Sequence, residues 1–425
     1  MNSNPYSIYG VSDNAAALAA KAEEAVSVVY REIEATREYN QLRVLEAFRK
    51  HRFAETHFSS TTGYGYDDMG REKLEEIFAE VFGAESAYVR MQISSGTQAI
   101  SSMLYGILRP GDELLAATGR PYDTLLKTIG VDTGDGEPIY DASLKAYGIT
   151  YDEIDLLEDG TPDIDGIISK INDRTKVVFI QKSRGYSTRR ALISKDISMI
   201  VEAVRAHEQK IGRKLIIAVD NCYGEFVERM EPPALGVDIC GGSLIKNPGG
   251  GLTPTGGYVC GNKDLVEKVA QRLTAPGLGS HVGPTLGFNR MLAQGLFMAP
   301  TTVAECLKGA VFASKMFELA GLNTSPSAED LRGDIVQTIT FGDSDKLVNF
   351  CKKIQFCSPV DSFVAPEPYA MPGYSDEVVM AAGTFVQGAT TELSCDGPIR
   401  EPYIAYMQGG LVMEQAKLAA MLALS

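Results

Sequence analysis

The chain has 425 residues, 44% of them apolar and 22% charged, with a formal net charge of −15 and a pI of about 4.9. That length exceeds what one hydrophobic core usually fills, and the composition excludes a disordered, collagen-like or coiled-coil protein. The acidic excess disfavours nucleic acid and anionic membranes as partners, no stretch approaches the roughly 20 apolar residues of a membrane span, and "MNSNPYSIYG" has no secretion-signal pattern, so a cytoplasmic protein is expected.

Residues 13 to 50 predict helix, because Asp13 or Asn14 can cap it and Leu18, Val26, Val29, Ile33, Leu42, Leu45 and Phe48 recur at near-helical spacing. This gives an N-terminal helical arm over residues 1–60. From about 70 to 300 helices and apolar strands alternate: "REKLEEIFAEVFG" is a helix ending at Gly83, "SAYVRM" a strand, "SGTQAISSMLYGIL" a helix and "DELLAA" a short strand. "TKVVFIQ" and "KLIIAVD", on either side of the helical "ISKDISMIVEAVRAHEQKIG", are unbroken apolar runs, as parallel strands buried on both faces require. The fold class is therefore α/β, with a large three-layer α/β/α domain over residues 61–300 and a mostly parallel sheet. After Pro300, a helix over about 301–320, the strand "IVQTITF", a helix near 344–354 and further short strands make a smaller α+β domain of residues 301–425. The proline-rich "SPVDSFVAPEPYAMPGYSDE" is expected to be an ordered loop.

Three local patterns can carry chemistry. "KLIIAVD" ends in Asp220, and acids at the carboxyl ends of parallel strands face ligand sites, although turns and helix caps use such acids too. "ISSGTQAI" opens a helix with Ser95, Gly96 and Thr97, whose hydroxyls, free N–H groups and helix dipole suit a phosphate, or serve as a plain cap. "GGSLIKNPGGG" sets Lys246 among apolar residues and glycines; desolvation there is expected to lower its pKa and free the amine to attack a carbonyl, while the glycines let a ligand approach the backbone. One ligand uses all three: pyridoxal 5'-phosphate. Lys246 would hold its aldehyde as an imine, Asp220 would keep its pyridine nitrogen protonated, and Gly96 and Thr97 with Ser243 would bind its phosphate. The seven cysteines form no CxxC pair and only four histidines exist, so reduced thiols and no metal site are expected.

In combination, "SSTTGYGYDDMGREKLE", "ISSGTQAI", "QKSRGYSTRR", "VDNCYGEFVE", "GGSLIKNPGGG" and "DGPIREPY" give a sequence that resembles the fold-type I pyridoxal-phosphate enzymes. More narrowly, it resembles the methionine gamma-lyase-like, aluminium-resistance family related to cystathionine beta-lyase, over nearly the whole chain. The resemblance implies that Tyr122 of "GRPYDTL" stacks on the pyridine ring and that Tyr64 or Tyr66 reaches the phosphate held by a neighbouring subunit. It thereby implies a homo-oligomer, a dimer or homotetramer, with shared active sites. Arg400 is the expected clamp for the substrate α-carboxylate, or else an ion-pair partner of Glu401 or Asp396. Two departures stand out. Ile245 replaces the hydroxyl residue that related lyases carry before the lysine, and Ser183 or Arg184 replaces an asparagine that contacts the cofactor's ring oxygen. Tyr223 packs near the cofactor or fills core.

The activity so implied is carbon–sulfur bond cleavage in an amino acid such as methionine, cystathionine or cysteine. Lys246 acts as general base, Tyr122 protonates the departing sulfur, and β- or γ-elimination gives a thiol, ammonia and a 2-oxo acid. The same residues serve an aminotransferase, racemase or decarboxylase equally well. A non-catalytic metal-tolerance protein is the alternative of another class, against which stands the lack of a D-x-D-x-D loop.

Overall fold

A computed structural model describes residues 4–134, 138–370 and 376–425. The expected ordered loop at 358–377 therefore lies partly outside the described residues. The expected single helix over 13–50 is two, α1 (Asp13–Ala25) and α2 (Ser27–Lys50), which meet at Val26. Ser12 caps α1 by accepting from the Ala15 N–H, so Asp13 occupies the first turn, where its charge suits the helix dipole. The arm is not a free appendage: Ala15, Ala19 and Ala22 of α1 are buried with Phe312, Met316 and Phe317 from the C-terminal half of the chain.

α3 (Met69–Phe82) runs from an Asp68 cap to Gly83, whose φ of 67° closes the helix in the left-handed region. There follow β1 (Ser86–Arg90), α4 (Gly96–Ile107), β2 (Glu113–Ala116), α5 (Asp123–Ile129), β3 (Thr150–Glu153), α6 (Ile164–Lys170), β4 (Thr175–Gln181), α7 (Ser194–Ile211), β5 (Ile216–Asp220), β6 (Ile239–Ser243), β7 (Gly257–Gly261) and α8 (Lys263–Leu273). The strands form a seven-stranded sheet in the order β1-β7-β6-β5-β4-β2-β3. β3, β2, β4, β5 and β6 are mutually parallel, and β7 is antiparallel to both neighbours. Helices cover both faces, which is why β4 and β5 are apolar on both sides: Val177 and Phe179 pack with α4 and α8 residues, Val178 and Ile180 with α3 and α7 residues.

α9 (Asn289–Leu319) corrects two expectations. It starts well before Pro300, and Pro300 lies inside it. Burial of Leu296, Ala299, Val303, Ala304 and Leu307 around the proline overrides the missing backbone donor. It is also long and apolar enough to cross a membrane by length and composition, although 72% of its most apolar window is buried within the protein, as suits a core helix. The remaining elements are β8 (Asn323–Ser325), β9 (Val336–Thr340), α10 (Ser344–Phe356), β10 (Val378–Ala381), β11 (Ser394–Pro398), β12 (Ile404–Gln408) and α11 (Met413–Ala423). They make a five-stranded antiparallel sheet, β10-β11-β12-β9-β8, packed on α10 and α11.

Candidate functional site

Strand register builds the site. Gln181 at the end of β4 pairs with Asp220 at the end of β5, which pairs with Gly241 on β6, so three parallel strands deliver their carboxyl ends side by side. Ser243 closes β6 and Lys246 follows three residues later. Facing them is the N-terminus of α4, where the Ser95 hydroxyl oxygen accepts from the Gln98 N–H at 3.0 Å. Ser95, Gly96, Thr97, Tyr122, Ser183, Asp220, Tyr223, Ser243 and Lys246 all line one cavity of about 220 Å³.

The position of Lys246 is fixed from behind. A Cβ on Gly249 would lie 2.0 Å from the Leu244 carbonyl oxygen, one on Gly250 2.4 Å from the Gly295 carbonyl oxygen of α9, and one on Gly251 2.4 Å from the Leu411 side chain. The glycine run thus serves close packing against α9 and Leu411, not the expected approach of a ligand to the backbone. Tyr223 is held at a φ of 70°, a conformation that side-chain-bearing residues avoid, and its ring centroid lies 3.9 Å from the Lys246 ammonium nitrogen.

Electrostatics here correct the expected fall of the lysine pKa. Burial works against the Lys246 ammonium, but the acidic side chains around it, Cys222, Tyr223, Asp220 and Glu225, outweigh burial and raise its pKa. Desolvation, Asp220 and Tyr223 were legible in the sequence; Cys222 and Glu225 were not. Asp220 is itself raised by burial, against the pull of Lys246 and of the Cys222 N–H that donates to it at 3.1 Å. Behind them Glu225 is pushed up to about 8 by burial, and accepts from the Tyr258 hydroxyl at 2.6 Å.

The residues present fit pyridoxal phosphate. Gly96 leaves room that a Cβ would take, since that atom would lie 3.1 Å from Cys222 Sγ and 3.3 Å from Ser243 Cβ. The donor set is right for a phosphate: hydroxyls and N–H groups at a helix N-terminus with no acid among Ser94 to Thr97. A carboxylate and an amine, Asp220 and Lys246, line the same cavity.

Other expected residues stand elsewhere. A second cavity, of about 1190 Å³, adjoins the first through Tyr122, Gln181 and Gly185, and Arg184 and Arg400 line it. Arg400 is half-exposed and forms an ion pair with Asp376 at 3.1 Å, not with Glu401 or Asp396. Arg184 is 1% exposed; its Nη1 donates to the Ser325 carbonyl at 3.0 Å, while Nε and Nη2 are buried without a hydrogen-bond partner. The Ser183 hydroxyl donates to Asp334 at 2.8 Å, which commits its proton away from any ring oxygen. Tyr64 and Tyr66 are 75% and 54% exposed, outside both cavities. Among the described residues no group of three or more His, Cys, Asp or Glu is placed to hold a metal ion.

The methionine gamma-lyase family model matches residues 15–425. The chain belongs to the methionine gamma-lyase family. It is 48% identical over 401 residues, 94% of this chain and 93% of the relative, to the uncharacterized protein YnbB of Bacillus subtilis. It is 45% identical to a Clostridium novyi structure described as a carbon–sulfur lyase involved in aluminium resistance, with a TM-score of 0.92 and coverage of 98% of this chain and 97% of that one. The pyridoxal-5'-phosphate dependent protein YhfS of Escherichia coli shares the fold at 15% identity, with a TM-score of 0.59 over 92% of this chain and 96% of that one.

Within this family member, sequence reading missed Gln181, Cys222 and Thr124 as cavity residues. Gln181 had a signal, as the last residue of an apolar strand; its Oε1 accepts from the Tyr122 N–H at 2.6 Å. Thr124 had none, because its bond to the Thr97 hydroxyl, at 2.8 Å, joins residues on two helices.

Proposed function

We propose that this chain is a pyridoxal-phosphate-dependent carbon–sulfur lyase that eliminates a thiol from the β or γ carbon of a sulfur amino acid such as methionine, cystathionine or cysteine. The observation that carries the reading is the convergence of Lys246, Asp220 and the α4 N-terminus on one cavity. When bound, the cofactor supplies an aldehyde that condenses with amines and a ring that withdraws electrons. Ser95, Gly96, Thr97 and Ser243 would hold its phosphate, Asp220 would pair with its ring nitrogen, and Tyr122 and Tyr223 line the same cavity. Asp220, once so engaged, would no longer hold the Lys246 ammonium, which favours the free amine that would act as nucleophile and then as the base that takes the substrate α-proton. Tyr122, open to both cavities, gives a proton to the departing sulfur.

Arg184 is a better carboxylate clamp than Arg400, because two of its nitrogens are buried without partners whereas Arg400 is engaged by Asp376. Exposed Tyr64 and Tyr66 suit contact with the phosphate site of a second copy of the chain, in a cytoplasmic homodimer or homotetramer. The test is a panel of sulfur amino acids assayed for free thiol and 2-oxo acid. Stoichiometric release from at least one is expected; release from none removes the lyase reading, and transfer of the amino group without thiol release would replace it with transamination.

A further inference from the structure

Asp396 is absent from both cavities, yet it reaches the site through a tyrosine. It lies on β11, opposite Met380 of β10 and Tyr406 of β12, and is 8% exposed. Its Oδ2 accepts from the hydroxyl of Tyr186 at 2.6 Å, a bond spanning 210 residues from the loop after β4 to the small sheet. Tyr406 grips the same residue twice: its hydroxyl donates to the Tyr186 carbonyl at 2.9 Å, and its ring meets the Tyr186 ring edge-on at 5.3 Å. On its other side the Tyr186 ring lies 6.0 Å from that of Tyr122. A row of three tyrosines thus runs from the Lys246 cavity to the small sheet, and one buried carboxylate fixes its middle member.

We propose that Tyr186, tied by Asp396, is a positioning residue that sets the orientation of Tyr122 over the Lys246 cavity. What Tyr122 then does there rests on the cofactor reading above; the tie itself does not. A carboxylate this buried is costly unless a strong donor meets it, and a phenol at 2.6 Å is such a donor. Burial pushes Asp396 up to about 6, with the Tyr186 bond restraining the rise. Among the described residues the titratable and charged groups around it include Tyr186 from the loop after β4, Tyr223 from the segment after β5, and Cys395 and Tyr406 on its own sheet, with Arg400 and Arg184 acting on Tyr406. Protonation of Asp396 removes the charge that strengthens the bond, so Tyr186 loosens, and Tyr122 with it.

The chain has no tryptophan, so its near-ultraviolet circular dichroism reports tyrosine packing. The experiment titrates that signal from about pH 5 to about pH 8 in the full chain, for wild type, Asp396→Asn and Tyr186→Phe, and repeats it in the visible after adding pyridoxal phosphate. Wild type is expected to change with a midpoint near 6 in both regions. Asp396→Asn should lose the transition near 6 in both regions, and Tyr186→Phe, which cuts the link between the acid and Tyr122, should lose it in the visible. A transition retained in Asp396→Asn, or a visible one retained in Tyr186→Phe, overturns the proposal. Should Asp396→Asn fail to fold by far-ultraviolet dichroism, Tyr186→Phe decides alone. Absence of any visible band in wild type would defeat the cofactor reading; the wild-type and Asp396→Asn near-ultraviolet titrations would still decide this one.

Discussion

The Lys246 ammonium sits 3.9 Å above the ring centroid of Tyr223, and the backbone of Tyr223 is bent to a φ of 70° to put the ring there. Glycine adopts that conformation freely while alanine does not. Tyr223→Gly should therefore be more stable than Tyr223→Ala by about 1 kcal/mol in urea denaturation, although both lose the same ring. Equal stabilities would mean that the backbone is not strained at this residue.

Gly295 of α9 admits the turn that carries Lys246: a Cβ there would lie 2.5 Å from the Gly249 carbonyl oxygen and 2.7 Å from Thr253 Oγ1. Gly295→Ala should cost about 1–3 kcal/mol of stability and weaken cofactor binding as the turn shifts. Gly96→Ala should differ in kind. Its Cβ would press on Cys222 Sγ and Ser243 Cβ, so the stability cost should stay within about 1 kcal/mol, while the lost space at the α4 N-terminus should raise the pyridoxal-phosphate Kd about tenfold or more. Thermal denaturation and equilibrium dialysis separate the two.

Arginine at 184 and arginine at 400 make a controlled pair. Arg184→Lys keeps charge but loses the planar fork, and should raise KM for the amino acid by about tenfold or more with a smaller effect on kcat; Arg400→Lys should stay within about twofold of wild type. The reverse ranking would return the carboxylate clamp to Arg400.

Asp396 also sets a pH dependence of stability. Its carboxyl is raised to about 6 in the folded chain, above the ordinary carboxylate value, so its stabilising contribution is complete below about pH 4 and is lost as pH climbs through about 6. Asp396→Asn has no such loss. Between about pH 4 and pH 7 the variant should gain on wild type by an amount approaching about 3 kcal/mol, read by urea denaturation at each pH. A constant difference would show that the acid titrates normally.

The alternation of helices with β4 and β5 was legible because strands buried on both faces must be apolar throughout, and Asp220 followed from its place at a strand end. Ser95 to Thr97 and Lys246 were legible for a related reason: each stands in a short local pattern. The unread features depend on distant chain segments. α9 continues through Pro300 because its surroundings bury it, and the glycines after Lys246 face α9 and Leu411, which no local pattern announces. Asp396 and Tyr186 are 210 residues apart, so the tie between them has no trace in sequence spacing.

The most direct test of the account treats the protein with pyridoxal phosphate, reduces it with borohydride, and maps the modified peptide by mass spectrometry, alongside Lys246→Ala. The account predicts a yellow protein whose visible band disappears on reduction, with the pyridoxyl group on Lys246 and no fixed label in the variant. A colourless protein, or a label distributed over surface lysines and unchanged in Lys246→Ala, would contradict it.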